Sequence, residues 1–299
     1  MSWRTVVISN RCKLDYQMGY MVIRSEEILK VYLDEIAILI IENPAVSLTG
    51  CLLEALINKK VKVIFCDSRH NPNSELLPYY GNYQNSKKIR DQCGWNPETC
   101  DAVWQEIVRK KINQQKRFLI QLGRERESNL LGLYEEQIRP GDETNREGLA
   151  AKVYFNAVFG MDFSRREESE INAALNYGYS IILSAFNREI VSSGYITQIG
   201  IFHDNTFNCF NLSSDLMEPF RILIDRCVYK MMPVGDLSQE QKYKILNTLN
   251  DEVIINGDRQ TVLNAIGVYS RSVFRAIEQN NSGLIYFYEL PDNESNSIL

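Results

Sequence analysis

The sequence predicts an α+β protein, with a small β-rich domain at the N-terminus and a larger all-α domain after it. Short runs rich in Val, Ile and Tyr fill about the first 75 residues, which is typical of β-strands. A stretch rich in Pro, Gly, Asn and Ser follows Asp67, and from Pro97 onward apolar residues recur with helical periodicity. We therefore expect a β-rich domain with one helix (1–75), a linker (76–97), a helical domain (98–285) and a flexible tail (286–299).

The first domain is expected to contain strands in TVVIS, in the YMVI of residues 20–23 and in EIAILII, with turn residues between them. The segment SLTGCLLEALINKK places a capping residue, Ser47 or Thr49, ahead of an apolar stripe, which predicts a helix. VKVIFCD follows as a buried strand. These elements together predict an antiparallel meander closed by a strand–helix–strand unit.

The second domain is expected to open with one long amphipathic helix in DAVWQEIVRKKINQQKRFLIQL, because its apolar residues recur every three to four positions. The same periodicity predicts further helices near residues 126–138, 145–159, 166–193, 212–230, 239–250 and 259–279. The tail PDNESNSIL is polar throughout most of its length, which favours a flexible end.

The composition favours a soluble protein of the reducing cytoplasm. No apolar run approaches the roughly 20 residues that cross a bilayer, and the start MSWRTVVISNRCKL lacks the layout of a signal peptide. The 7 cysteines are odd in number, scattered, and without a CxxC pair, which argues against a disulfide framework and against a structural zinc site. We expect a cytoplasmic protein with no membrane partner.

A basic segment interrupts an otherwise acidic chain. The net charge of −5 argues mildly against a nucleic-acid partner, but binding depends on local potential rather than on the average. RKKINQQKRFLIQLGRER, residues 109–126, carries seven basic residues against the single Glu125. Such a run is usually a solvated helix face, and it is also a weak indication of DNA binding.

The segment LSSDLMEPFRILIDRCVYK forms an amphipathic helix in projection. One side is apolar, and Glu218 points the opposite way with Asp215 three residues before it. A helix face of this kind, rich in carboxylates, is usually exposed to solvent and has no further function. Pro219 lacks a backbone donor, so the carbonyl of Asp215 is released and a kink is expected beside Glu218.

Glu147 lies within GDETNREGLAAKVYFNAVFG and has two interpretations. On a helix it shares a side with Ala150, Ala151 and Tyr154, where a carboxylate is costly to bury unless it is paired or bound to a metal ion. Thr144 to Glu147 also reads T-x-x-E, a capping box in which Glu147 would reach back to the Thr144 amide. The pattern alone favours the cap.

His203, one of only 2 histidines, lies in an Asn-rich segment between these two helices. A lone histidine is usually a surface or core residue whose hydrogen bonds are made to nearby groups. Two carboxylates and an imidazole would nevertheless suit Mg²⁺ or the softer Mn²⁺. Such an ion lowers the pKa of an attacking hydroxyl and stabilises charge on a phosphate. GxxxxGK[ST], GxGxxG and GxSxG are all absent from the sequence, which argues against a nucleotide-cradling loop and a nucleophile elbow.

Two motifs in this order resemble a known family. EGLAAKVYFNAVFG, a loop histidine and NLSSDLMEPFR together resemble the CRISPR-associated integrase of spacer acquisition, the larger catalytic protein of the adaptation complex. EIAILIIENPAVSLTGCLLEALINKKVKVIFCD is similar to the N-terminal domain of that family, so the resemblance spans about residues 1–285. The form DLMEPFR and the short N-terminal domain look most like the branch of type II CRISPR systems.

The resemblance implies a metal-dependent DNA endonuclease and integrase with a helical catalytic domain. It implies Glu147, His203 and Glu218 as catalytic ligands of Mg²⁺ or Mn²⁺, with Asp215 as a carboxylate behind the ligands or near the DNA. Relatives often have Asp where this chain has Glu218, and either can bind the ion. The expected contacts to the DNA backbone come from the basic segment, and the candidates are Arg109, Lys110, Lys111, Lys116 and Arg117.

The same resemblance implies the partners and the reaction. The partners are double-stranded DNA (protospacer and CRISPR repeat), a second copy in a homodimer formed through the N-terminal domain, and the small second adaptation protein, which bridges two dimers. The reaction is attack by 3′-hydroxyls of a short duplex on phosphodiesters at the repeat borders. Two alternatives stay open: a non-catalytic DNA-binding scaffold subunit, and a metal-dependent hydrolase of a small phosphorylated substrate.

Overall fold

The computed structural model describes residues 4–68, 72–79, 84–232 and 235–291. It confirms the predicted fold class, because strands dominate the N-terminal part and helices dominate the rest. The chain divides into two compact units, Met1–Tyr83 and Gln84–Leu299. In the part of the chain that the structure describes, no helix is long and apolar enough to cross a membrane.

The N-terminal unit contains two four-stranded sheets and one helix. Its elements are β1 (Arg4–Ile8), β2 (Lys13–Gln17), β3 (Tyr20–Arg24), β4 (Ile28–Tyr32), β5 (Ile36–Ile41), β6 (Ser47–Leu48), α1 (Gly50–Asn58), β7 (Lys62–Cys66) and β8 (Pro72–Leu76). One sheet has the order β4-β3-β2-β6 and includes an antiparallel meander, β2-β3-β4, which shares only β3 with the predicted one, because the predicted strands β1 and β5 pair in parallel in the other sheet. The other has the order β1-β5-β7-β8, in which β1, β5 and β7 are parallel.

The strand–helix–strand unit β5-α1-β7 forms where the sequence predicted it. The side chain of Thr49 accepts a hydrogen bond from the Leu52 amide and caps α1, as Thr and Ser do at helix N-termini. All six residues of β5 are buried, which fits a central parallel strand covered on both faces. Leu52 and Leu56 of α1 pack into the core of the unit, together with Leu39 and Val63.

The C-terminal unit is mostly helical. Its helices are α2 (Asn85–Cys93), α3 (Pro97–Gln121), α4 (Glu125–Glu136), α5 (Arg146–Phe159), α6 (Glu170–Ser192), α7 (Asn211–Met217), α8 (Arg221–Lys230), α9 (Gln239–Asn247) and α10 (Val262–Glu278). The long helix α3 begins at the Asn96 cap with Pro97 in its first turn, where a missing amide costs nothing. The apolar face of α3 is buried, and the helix contacts α4, α5 and α10.

Three features of this unit differ from the expectation. The predicted linker (76–97) contains α2, which Gln92 fixes by donating to the carbonyls of Ile196 and Ile199. The all-α domain contains a small antiparallel sheet of β9 (Glu252–Ile255), β10 (Asp258–Thr261) and β11 (Tyr288–Glu289).

The predicted flexible tail (286–299) is therefore ordered at its beginning. Tyr288 of β11 is fully buried, packs on Phe220 and donates a hydrogen bond to the carbonyl of Pro219. The polar composition belongs to residues 291–299, whereas residues 286–290 read YFYEL, so the predicted tail begins too early. Residues 292–299 lie outside the described part of the chain.

Candidate active site

Glu218 lies at the expected kink between α7 and α8. Residues Glu218–Phe220 form a single 3₁₀ turn at Pro219, so the helical path predicted for 212–230 is divided into two helices. Glu218 is only 4% exposed, so the solvated carboxylate face suggested by periodicity is absent at this position. The side chain of Glu218 is buried, and two basic side chains pair with it.

Two cations compensate the buried carboxylate of Glu218. Oε1 accepts a hydrogen bond of 2.8 Å from Arg221 Nε, and Oε2 lies 2.5 Å from Lys111 Nζ. Burial by itself would raise the pKa of Glu218, but the charges of Arg221 and Lys111 outweigh burial and lower the pKa to about 2. Glu218 is therefore an anion at neutral pH.

Glu147 stands at the start of α5, and the capping-box interpretation is wrong. Asn145, with φ of 50°, caps this helix by accepting from the Gly148 amide, while the Asp142 carboxylate accepts from the amides of Arg146 and Glu147. Because Asn145 is the N-cap, Glu147 is the second residue of the helix, whereas a capping box requires the third. The side chain of Glu147 accepts a 2.5 Å hydrogen bond from Lys111 Nζ instead.

Lys111 of α3 thus joins the two glutamates, although they lie far apart in the chain. Its side chain is 11% exposed. Burial would lower the pKa of the Lys111 ammonium, but the carboxylates of Glu147 and Glu218 outweigh burial and raise the pKa. The result is a buried ammonium held between two carboxylates.

His203 is held by Asp215, which is fully buried on α7. The Asp215 carboxylate accepts from the amides of Ile201 (2.6 Å), Phe202 (3.0 Å) and His203 (3.1 Å), and its Oδ1 also pairs with Nδ1 of His203. The bond with Asp215 raises the pKa of His203; burial acts against it, and the nearby charges of Asp215, Glu218 and Glu147 reinforce it. One carboxylate therefore shapes the loop and orients the imidazole.

The close approach of this loop to Asp215 requires glycine at position 200. A Cβ added to Gly200 would collide with the His203 carbonyl oxygen and lie 2.6 Å from Asp215 Oδ2, far inside van der Waals contact. Trp104 of α3 supports the loop, where it stacks on Phe202 at 4.5 Å and meets the His203 ring edge-on at 5.6 Å. His203 is thereby fixed by a carboxylate and by an aromatic ring.

The donor set fits a divalent cation in its chemistry. Glu147 and Glu218 offer carboxylate oxygens, and Glu218 Oε2 is buried without a hydrogen-bond donor among the described residues, 2.5 Å from the Lys111 ammonium. Nδ1 of His203 is paired with Asp215, so Nε2 is the ring nitrogen that could bind an ion, and a carboxylate–histidine pair of this kind is common at metal sites. Within the described residues, no three His, Cys, Asp or Glu side chains are arranged tightly enough to hold an ion, and the Lys111 ammonium lies between the two glutamates.

Comparison with known proteins identifies the family. Residues 5–266 match the family model described as CRISPR associated protein Cas1. The chain belongs to the Cas1 family. It is 32% identical over 287 residues to the "CRISPR-associated endonuclease Cas1" of Neisseria meningitidis serogroup C (strain 8013), with 94% of each chain covered. Its membership of the type II branch stays a prediction.

Solved structures share the fold. A "Casposase bound to integration product" superposes with a TM-score of 0.75 at 19% identity, covering 99% of this chain and 94% of that one. A chain of a "Cas6-RT-Cas1--Cas2 complex" superposes with a TM-score of 0.73 at 18% identity, covering 94% of this chain and 36% of that longer one. At these identities the similarity shows a common fold.

The five basic residues expected to contact DNA are all paired with carboxylates in this Cas1 protein. Lys110 and Arg117 bind Glu289, Lys116 binds Glu135, Arg109 binds Glu106, and Lys111 joins the two glutamates. Lys110 and Lys111 are nearly buried, whereas Arg117 is more than half exposed. Their contacts with DNA stay a prediction, and Lys111 is placed in the site itself.

A cavity of about 230 Å³ adjoins Glu218, and sequence reasoning missed most of its lining: Lys111, Gln115, Phe155, Arg165, Tyr179, Glu218, Arg221 and Asp225. Arg165 donates to the amide oxygens of Asn172 and Asn176 and lies over the rings of Phe155 and Tyr179. Arg221 could have been suspected from its place three residues after Glu218. Arg165 and Tyr179 carry no comparable sequence signal.

Asp225 in the lining of this cavity is expected to make the stability of the Cas1 protein depend on pH. Burial raises its pKa to about 6, although a hydrogen bond from Tyr179 and the charges of Arg221 and Arg165 act in the opposite direction. The folded protein therefore binds a proton between about pH 4 and pH 6 that the unfolded chain has released, so stability is lost as pH rises through this window. Relative to Asp225→Asn, the wild type should lose about 2 kcal/mol of unfolding free energy between pH 4 and pH 7.

Urea unfolding of both proteins at half-unit pH steps measures this difference. The exposed Asp162, replaced by Asn, serves as the control and should follow the wild type across the range. If the unfolding free energies of the wild type and Asp225→Asn differ by the same amount at every pH, folding does not shift the pKa of Asp225.

Proposed function

We propose that this Cas1 protein is a metal-dependent DNA endonuclease and integrase that inserts short duplexes into a CRISPR array. The observation that carries the proposal is the meeting of Glu147 and Glu218 at one ammonium, while His203, held by Asp215, lies close enough for both glutamate charges to raise its pKa. The curated relative is named an endonuclease, and the casposase of the same fold is bound to an integration product, which supports DNA as the substrate.

Glu147, Glu218 and Nε2 of His203 would hold Mg²⁺ or Mn²⁺. Such an ion, when bound, supplies a Lewis acid for a phosphodiester oxygen and lowers the pKa of an attacking hydroxyl. Glu218 enters this role already ionised, because its pKa is about 2. Asp215 keeps the Nδ1 side of the His203 ring engaged, so the opposite nitrogen is free for the ion.

The proposed reaction is a direct transesterification on DNA. The 3′-oxygen of the donor duplex forms a new bond to phosphorus at a repeat border, and the bond from that phosphorus to the 3′-oxygen of the repeat strand breaks. Water in place of the 3′-hydroxyl gives hydrolysis by the same geometry, so endonuclease activity belongs to the same site. The Arg221 guanidinium, fixed to Glu218 beside the cavity, would face the phosphate charge.

The proposed partners follow from the comparison and from the resemblance. A chain of the same fold is part of a complex with Cas2, which supports the small second adaptation protein as the partner that bridges two homodimers of this chain. Protospacer and repeat DNA would contact the basic residues of α3, of which Arg109 and Arg117 are the most exposed. We place this assembly in the cytoplasm.

A strand-transfer assay tests the proposal. The wild type, with the small adaptation protein present, is mixed with a short duplex and a supercoiled plasmid carrying a leader and repeat, in Mn²⁺, Mg²⁺ or EDTA. We expect transfer with either ion and none in EDTA, and none from a duplex with 2′,3′-dideoxy ends that can still bind. His203→Ala should lose transfer while retaining duplex binding.

The outcomes separate the alternatives. Transfer that persists in EDTA would contradict metal dependence, and transfer from dideoxy ends would contradict attack by the 3′-hydroxyl. A wild type that binds duplex but neither nicks nor joins it under any of these conditions would indicate the scaffold subunit. Cleavage of a small phosphorylated substrate without action on DNA would indicate the hydrolase.

A further inference from the structure

The Lys111 ammonium is bound to the same oxygens that a divalent cation would need. Nζ lies 2.5 Å from Glu147 Oε1 and 2.5 Å from Glu218 Oε2, and these two carboxylates come from α5 and from the kink after α7. Carboxylate oxygens bind Mg²⁺ at about 2.0–2.1 Å and turn their lone pairs toward the ion. Nζ donates a hydrogen bond to Glu147 Oε1 and forms an ion pair with Glu218 Oε2, so it fills the space between the two oxygens that a divalent cation would occupy.

The other basic group at the site does not interfere in this way. Arg221 donates to Oε1 of Glu218, whereas Lys111 lies against Oε2. Glu218 Oε2 is buried, and Lys111 is its ion-pair partner. Displacing Lys111 would therefore open one oxygen of each glutamate without disturbing the pair formed by Arg221 and Glu218.

A place for the displaced side chain exists next to the site. The cavity of about 230 Å³ is lined by Lys111 itself, by Gln115 one helical turn later, and by the rings of Phe155 and Tyr179. A lysine stem carries four methylene groups and can swing over such walls while its ammonium stays near a polar partner. The Asp225 carboxylate lines the same cavity and would be the ion-pair partner of the displaced ammonium.

We propose that Lys111 is a built-in competitor of the divalent cation: it holds Glu147 and Glu218 together, and the ion binds only when the ammonium leaves them for the cavity. This inference rests on the proposed metal site. It follows that removal of Lys111 strengthens metal binding, whereas removal of a charged residue from an active site is usually expected to weaken binding. The apparent affinity of a site equals its intrinsic affinity multiplied by the fraction of molecules in which the site is accessible.

Calorimetric titration with Mn²⁺, without DNA, tests the competition. We expect Lys111→Met to bind Mn²⁺ at least roughly 10-fold more tightly than the wild type, which corresponds to an ammonium that covers the oxygens in about nine molecules of ten. Lys111→Gln, which keeps a donor without the charge, should also bind more tightly. The matched control is Lys116→Met on the same helix, whose partner Glu135 lies outside the site and whose loss should leave Mn²⁺ affinity unchanged.

Thermal unfolding gives a second readout. In EDTA, Lys111→Met should unfold at a lower temperature than the wild type because the buried Glu218 and the partly exposed Glu147 lose their shared counter-charge, and saturating Mn²⁺ should restore most of the loss. Equal or weaker Mn²⁺ binding by a folded Lys111→Met or Lys111→Gln would overturn the competition. If those variants fail while the wild type binds Mn²⁺ and Glu147→Gln does not, the metal site stands and only the role of Lys111 is lost. If no variant and no wild type binds Mn²⁺, the metal site of the proposed function fails with it.

Discussion

Glu147→Gln and Glu218→Gln are each expected to lower DNA strand transfer by at least about 100-fold, the size of loss seen when one group that stabilises a transition state is removed. The amide keeps the shape of the side chain but carries no negative charge, so it is a poor ligand for a hard divalent cation. Each variant also leaves the Lys111 ammonium with one carboxylate in place of two. The loss should appear in the rate at saturating DNA rather than in duplex affinity.

Two further variants make this prediction specific. Glu135→Gln removes a carboxylate that pairs with Lys116 on a later turn of α3, outside the site, and should transfer DNA at the wild-type rate. Glu218→Asp retains a charged oxygen ligand and should recover part of the activity that Glu218→Gln loses. Wild-type transfer by folded Glu147→Gln or Glu218→Gln would remove that glutamate from the site, whatever the resemblance implies.

The kink beside Glu218 and the strand–helix–strand unit could be predicted because local rules govern them. Pro219 lacks a backbone amide and therefore interrupts the helical hydrogen bonds where it stands. Thr49 supplies the cap that starts α1. Both effects act within one turn of chain, so the sequence contains everything that decides them.

The capping box at Glu147 failed although it too is a local rule. T-x-x-E fits the box, but Asp142 accepts from the amides of Arg146 and Glu147, and Asn145 takes the cap position. The choice among several nearby acceptors depends on the path of the loop before α5, which sequence spacing does not contain.

The pairing of the two glutamates with Lys111 lay beyond pattern arguments. Lys111 belongs to a basic segment that charge counting assigns to a solvated face or to DNA, and its direction on α3 is set by packing against α5 and the turn after α7. Helical projection likewise placed Glu218 opposite the apolar face, where water was expected. The site is therefore built from charges that helical periodicity assigns to the surface and that long-range packing buries together.

Asp215→Ala is expected to be the most destabilising single change at the site, with a loss of about 3–5 kcal/mol of unfolding free energy. Three backbone amides of the His203 loop and the Nδ1 of its ring would lose their shared acceptor inside the protein, and an unsatisfied buried donor costs about 1–3 kcal/mol. Asp215→Asn should recover only part of the loss, because one oxygen of the carboxylate becomes an NH₂ group that faces N–H donors.

Chemical unfolding of both variants measures the loss, with Asp204→Ala as the control. Asp204 is an exposed carboxylate of the same loop, one residue after His203, so its removal should change stability by no more than about 0.5 kcal/mol. Where Asp215→Asn stays folded, strand transfer should fall by about 10–100-fold, since a misoriented imidazole weakens the site that it serves. If Asp215→Ala loses no more unfolding free energy than Asp204→Ala, the Asp215 carboxylate does not hold the loop. The packing of Phe202 and His203 on Trp104 then holds it instead.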